Sequence, residues 1–266
     1  MKPCSALLSA IALVLATRPM TAQDAIKPEA LDPAAVYEAR VFKNPGGGSL
    51  NYRLLKPLDY DPAKKYPVVL LLHGAGERGD DNKAQLVHGC RDLAAEGLRR
   101  RYPAFVVAPQ CPEEQKWVEV PWDRRTHSMP ADPSPSMKHV FDLLDSLQAE
   151  FSIDEARLYG VGLSMGGYGV WDTLQRKPEL LAAAIPVCGG GDPEHAATFK
   201  STPVWAFHGA DDALVVPERS RTMVAALTAA GGHPVYTEYE GVGHDSWSAT
   251  FANRAVWDWL FAQRRE

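Results

Sequence analysis

The chain has 266 residues, of which 45% are hydrophobic and 23% charged, enough for one large α/β domain or two small ones. A core of that length stands without disulfides or a metal. The formal net charge is −5 and there is no long block of Lys or Arg, which excludes a nucleic-acid-binding role. The densest basic cluster, Arg99-Arg100-Arg101, falls at the predicted end of a helix, where it complements the helix dipole.

Lys2 precedes an apolar run from Ala6 to Ala16. That run is too short to cross a bilayer and suits the core of a signal peptide. Small residues suit cleavage after Ala16 or Ala22; the later site is preferred, so residues 1–22 read as a signal and 23–266 as a single domain. The mature protein is expected to be secreted or periplasmic, with no membrane partner. Cys4 leaves with the signal, and Cys90, Cys111 and Cys188 remain. An odd number allows at most one internal disulfide. Cys90 and Cys111 flank one predicted strand and form the candidate pair. No C-x-x-C or clustered His/Cys spacing is present, so no metal site is expected.

After a polar leader, the alternating run Val36–Phe42 predicts a half-exposed strand. Asn44-Pro-Gly-Gly-Gly-Ser is a turn, and Leu50–Leu55 returns as the hairpin partner. Continuous apolar runs follow at Val68–Leu72, Ala104–Ala108, Leu158–Val161, Ala182–Val187 and Val204–Phe207, the pattern of strands buried on both faces. Val235–Tyr239 alternates, as expected near a sheet edge. Helical segments are predicted over Gln85–Arg100, Met137–Glu150, Met165–Lys177, Pro217–Ala230 and Ser246–Arg264. Strand alternating with helix gives an α/β fold: a mostly parallel sheet of about eight strands with an antiparallel N-terminal edge and helices on both faces. The long Gln110–Pro135 segment reads as a functional loop. About 15 residues separate the Val187 and Val204 strands, too few for a large lid domain.

Gly162-Leu-Ser-Met-Gly166 lies between a buried strand and a helix. Glycines two residues either side of Ser164 permit the sharp turn that exposes a nucleophilic hydroxyl. His73-Gly-Ala-Gly-Glu-Arg-Gly79 follows the first buried strand, and its small residues let backbone amides approach a substrate. The expected oxyanion donors are the amides of Ala75 and Met165. A phosphate-binding reading of that loop fails, because it lacks Gly-Lys-Ser/Thr and the third Gly of a dinucleotide site. Asp211 and Asp212 follow the penultimate strand, and either could be the acid. Of eight histidines, His244 alone sits in a loop after the last strand. His73 and His208 are expected to bond backbone at their strand ends, and the other five, His127 included, to lie on the surface.

The order Ser…Asp…His, with these motifs, resembles the α/β-hydrolase superfamily from about Val36 onward. Within it, His73–Gly79, Ala108-Pro-Gln-Cys-Pro and Pro186-Val-Cys-Gly-Gly-Gly-Asp are similar to secreted carboxylesterases and prolyl-oligopeptidase-like peptidases, with feruloyl-esterase relatives. The group's His-Gly-x-x-Asp-x-x-Val pattern falls on His208, Gly209, Asp212 and Val215, which selects Asp212 over Asp211. The resemblance implies Ser164 as nucleophile, His244 as base and Asp212 as its orienting acid, with no cofactor. It also implies an ester substrate, either a small molecule or an acyl or feruloyl group on a polysaccharide. Gln110, Trp117 and Trp122 are the candidate substrate contacts.

Overall fold

The computed structural model describes residues 32–266. The signal expected over residues 1–22, Cys4 and the start of the leader lie outside the described residues. Eight strands form one sheet in the order β1-β2-β4-β3-β5-β6-β7-β8. Strands β1 (Glu38–Lys43) and β2 (Ser49–Leu55) form the predicted hairpin, and β2 runs antiparallel to β4 (Phe105–Pro109). From β4 onward, β3 (Tyr66–Leu72), β5 (Ile153–Leu163), β6 (Ala183–Val187), β7 (Trp205–Gly209) and β8 (Val235–Tyr239) pair in parallel. All seven residues of β3 and all five of β4 are buried, whereas every residue of the edge strand β8 is half-exposed. Burial on both faces is why those central strands read as unbroken apolar runs.

Helices cover both faces. On one, α3 (Pro135–Glu150), α4 (Met165–Arg176) and α5 (Glu218–Ala229) bury Met137, Leu144, Val170, Leu174 and Met223 with Leu70 and Val107. On the other, α1 (Cys90–Ala94), α2 (Glu96–Arg101), α6 (Trp247–Ala252) and α7 (Arg254–Ala262) bury Leu93, Leu98, Phe251 and Trp257 with Leu71 and Val161. Ser134 caps α3 by accepting from the Met137 amide at 3.1 Å, and Pro135 sets the first helical turn.

Two expected helices are broken. Gln85–Arg100 becomes a 3-10 turn (Ala84–Leu86) followed by α1 and α2, because Gly89 adopts φ +60° and restarts the chain. The Asp92 carboxylate accepts the Gly89 amide at 3.0 Å and fixes that restart. Ser246–Arg264 is likewise divided at Asn253, whose side chain accepts the Ala255 amide and caps α7. The expected Cys90–Cys111 disulfide is absent: Cys90, Cys111 and Cys188 are all free and buried. Cys90 instead opens α1, where its carbonyl accepts the Tyr37 hydroxyl, while the Cys111 sulfur meets the Ser136 hydroxyl at 3.4 Å.

Candidate active site

The C-terminal ends of β3, β5, β6, β7 and β8 stand side by side, and the loops leaving them carry the polar residues. Ser164 sits between β5 and α4 at φ +50°, ψ −119°, a conformation sparsely populated by residues with a side chain. Its backbone is held by the bond from its amide to the Val187 carbonyl, 2.9 Å. Neighbouring glycines make the turn sterically feasible. A Cβ on Gly166 would come within 1.9 Å of the Leu72 carbonyl oxygen, and one on Gly162 within 2.3 Å of the Gly166 oxygen.

The Ser164 hydroxyl lies 2.9 Å from His244 Nε2, and His244 Nδ1 lies 2.7 Å from Asp212 Oδ2. The other oxygen of Asp212 accepts the Leu214 and Val215 amides, both at 2.9 Å. Burial alone would raise the Asp212 pKa. Bonds from His208, His244 and the Val215 amide outweigh it and hold the carboxyl well below the usual range. Asp211, by contrast, is exposed. Gly209 lets the His244 loop approach, since a Cβ there would meet the Gly243 oxygen at 2.1 Å. The arrangement can pass the hydroxyl proton to an imidazole whose second nitrogen faces an acid held ionised at neutral pH.

Ala75 and Met165 are the first residues of a 3-10 turn (Ala75–Glu77) and of α4. Their amides therefore have no acceptor within their own helices. The backbone of Gly74 lies against Ser164, because a Cβ on Gly74 would be 3.6 Å from that of Ser164.

Of the histidines at the strand ends, His73 bonds backbone as expected, and His208 adds side-chain partners. His73 is buried, with Nδ1 2.6 Å from the Gly74 oxygen and Nε2 accepting the Cys111 amide at 2.9 Å. Burial lowers its pKa to about 4 and keeps it neutral. His208 is wholly buried between the Ser220 hydroxyl (2.8 Å), the Val215 carbonyl (2.8 Å) and Asp212 Oδ2 (3.4 Å). Sequence reasoning missed that contact with Asp212, although the i, i+4 spacing in His208-Gly-Ala-Asp-Asp212 offered it. His127, expected at the surface, is partly buried against the Arg219 guanidinium at 2.5 Å, and burial with that charge lowers its pKa to about 4.

The three candidate substrate contacts are placed differently from expectation. Trp117 is fully buried, donates to the His73 carbonyl at 3.0 Å and stacks edge-on against the His73 ring, so it anchors its loop and faces no solvent. Gln110 is 1% exposed and spent on the loop after β3: it accepts the Asn82 amide and donates to Glu77 O and Asp81 Oδ1. Only Trp122 is half-buried, under the Lys116 ammonium at 4.8 Å.

Among the described residues, Cys188, Asp212 and His244 bring potential metal-ligating atoms within 4.8 Å of one another. Burial pushes the Cys188 thiol far up, so it stays protonated, and the other two already bond each other and Ser164. A metal there would displace the hydrogen-bonded chain.

Known proteins resemble this one over most of its length. A thermostable esterase of known structure superposes with a TM-score of 0.81 at 42% identity, covering 87% of this chain and 64% of its own. An uncharacterized secreted protein of Arthroderma benhamiae is 27% identical over 238 residues, 74% of this chain. The present chain spans only 24% of that relative's length. A "Probable carboxylesterase" of Oryza sativa subsp. japonica is 26% identical over 198 residues, covering 67% of this chain and 81% of the relative. The dienelactone hydrolase family model matches residues 58–255, a span holding Gly74, Ser164, Asp212 and His244. The chain belongs to the dienelactone hydrolase family of α/β-hydrolases.

Proposed function

We propose that the protein is an exported serine esterase that cleaves carboxylic esters through an acyl-enzyme on Ser164. The observation that carries this reading is the unbroken chain Ser164–His244–Asp212, with spacings of 2.9 and 2.7 Å. Ser164 Oγ attacks the acyl carbonyl while His244 Nε2 takes its proton. The tetrahedral oxyanion is received by the amides of Ala75 and Met165. His244 then protonates the departing alcohol, and water clears the acyl group by the reverse sequence. The thermostable esterase at 42% identity favours an ester over an amide. Acyl or feruloyl esters of polysaccharides are the substrate class this reading favours, since the connection between β6 and β7 is too short to hold a lid domain. Export rests on the apolar Ala6–Ala16 run and on the secreted relative. No helix among the described residues is long and apolar enough to cross a membrane.

A fluorophosphonate probe should label the wild type and fail to label Ser164→Ala. A folded wild-type protein that resists the probe would sink the assignment. Turnover of p-nitrophenyl acetate and butyrate with none of a proline-peptide amide separates the esterase from a peptidase on the same fold. Sequencing the N-terminus of protein recovered outside the cell should begin at Gln23.

A further inference from the structure

Asp212 Oδ2 meets a second imidazole besides that of His244. His208 stands near the end of β7, and the turn after it brings Asp212 back beside the ring, with the Asp212 amide 3.3 Å from the Gly209 carbonyl. The His208 side chain is wholly buried. Its Nδ1 lies 2.8 Å from the Ser220 hydroxyl on α5. Its Nε2 lies 2.8 Å from the Val215 carbonyl and 3.4 Å from Asp212 Oδ2. Val215 is thus held at both ends, since its amide donates to Asp212 Oδ1 at 2.9 Å. A carbonyl and an ionised carboxylate only accept, so Nε2 carries a hydrogen. Ser220 and Val215 already satisfy the two ring nitrogens. The approach to Asp212 is surplus to that demand, and it falls on the oxygen that receives His244 Nδ1 at 2.7 Å.

We propose that His208 is a positioning residue for acyl transfer: its Nε2–H shares Asp212 Oδ2 with His244 and moderates the charge that the carboxylate presents to the base. The proposal rests on the reading of Ser164, His244 and Asp212 as the acyl-transfer triad. A carboxylate oxygen has two lone pairs, so Oδ2 can face both imidazoles while Oδ1 takes the Leu214 and Val215 amides. Those contacts fix the plane of the carboxylate toward His244. The N–H of His208 also draws on the negative charge, so His244 is a weaker base than it would be beside an unshared carboxylate. Removing that N–H should let His244 hold its proton to higher pH. Among the other ionisable groups around the pair, burial pushes the Cys188 thiol just past β6 far up and the Tyr168 hydroxyl on α4 to about 12. Glu238 on β8, in register with His208, is held below the usual carboxylate range by Arg221. Arg219 on α5 stays charged over the Tyr168 ring, and Asp211 and Asp245 are exposed and screened by solvent.

Two substitutions of similar polarity separate this role from a purely structural one. His208→Asn keeps a partner for Ser220 but is too short to reach Asp212, whereas His208→Gln keeps an N–H within reach of it. In His208→Asn the His244 ring, followed by NMR, should titrate about half a unit higher than in wild type, and the acid limb of kcat/KM for p-nitrophenyl acetate should move with it. Its kcat should fall about ten-fold with KM little changed. His208→Gln should return the titration and the limb to their wild-type positions. A folded His208→Asn whose His244 titrates as in wild type would overturn the proposal and leave the triad standing, with His208 as a brace for its loop. Equal shifts in the Asn and Gln variants would overturn it as well. The wild type supplies a check that needs no variant: nitrogen NMR should show hydrogen on His208 Nε2, and a bare Nε2 would overturn the proposal. Absence of wild-type turnover on p-nitrophenyl esters would bring down the esterase reading, while the His244 titrations would still test the link through Asp212.

Discussion

At the scale of single residues, burial separates the adjacent pair Asp211-Asp212, and the proposed acid is the buried one. Asp212 is 4% exposed and shares its two oxygens among His244, His208 and two backbone amides, while Asp211 is exposed. Asp212→Asn replaces an acceptor-only group with an amide and misorients His244. Its kcat should drop by about 10³–10⁴ with little change in KM, and Asp211→Asn should stay within a few-fold of wild type. Equal losses in the two variants would contradict the assignment. Ser164 and His244 could be picked from the sequence because glycine spacing and strand order are local signals. The choice between two neighbouring aspartates was not local: it needed a family pattern, and the hydrogen bonds supply its physical reason. Trp117 and Gln110 depart from expectation for the same cause. A residue at a strand end can face substrate or brace a neighbouring loop, and only tertiary contacts decide which.

At the scale of elements, the sheet was legible throughout, since unbroken apolar runs mark strands buried on both faces. Helix ends were less so. Gly89 and Asn253 break two apolar-periodic stretches, and a capping side chain prevails there over periodicity. The long segment between β4 and α3 carries no regular structure, yet it is pinned at several points. Arg176 ties it to α4: the guanidinium bonds Asp172 at 2.8 Å and donates to the carbonyls of Pro130, Ala131 and Asp132. Arg219 on α5 donates to the Pro121 carbonyl at 2.7 Å, and Asp192 accepts the Met129 amide at 2.8 Å. Lys cannot reproduce the planar fork that Arg176 uses. Arg176→Lys should therefore cost about 1–3 kcal/mol in urea unfolding, since buried Asp172 and the loop carbonyls lose donors. Limited proteolysis should then cut first between Cys111 and Ser134. Wild-type resistance at that segment in Arg176→Lys would show that the other anchors suffice.

At the scale of the whole molecule, the buried histidines tie stability to pH. The His73 pKa is lowered by burial from 6.5 to about 4, and its Nε2 accepts the Cys111 amide that joins the loops after β3 and β4. Below pH 6.5 the unfolded chain takes up a proton at this position while the folded chain does not. Protons bound preferentially by the unfolded state lower stability, so the loss grows as pH falls from 6.5 towards 4 and levels off beneath that. For His73 alone the loss is on the order of 2 kcal/mol by pH 5. His127, also lowered to about 4 beside Arg219, acts in the same direction, with a smaller effect because it is partly solvated. Asp212, held well below its ordinary value, contributes stability at neutral pH that is lost as pH falls below that ordinary value, where the unfolded chain takes up a proton before the folded one. Urea unfolding at pH 7.5, 6 and 5 should thus show a decline that begins near pH 6.5, above the range in which carboxylates titrate. His73→Gln keeps a donor and an acceptor but cannot titrate. Whatever its stability at pH 7.5, it should flatten the slope between pH 6.5 and 5 by about 2 kcal/mol. A slope identical to wild type would mean that this interval is governed by groups other than His73.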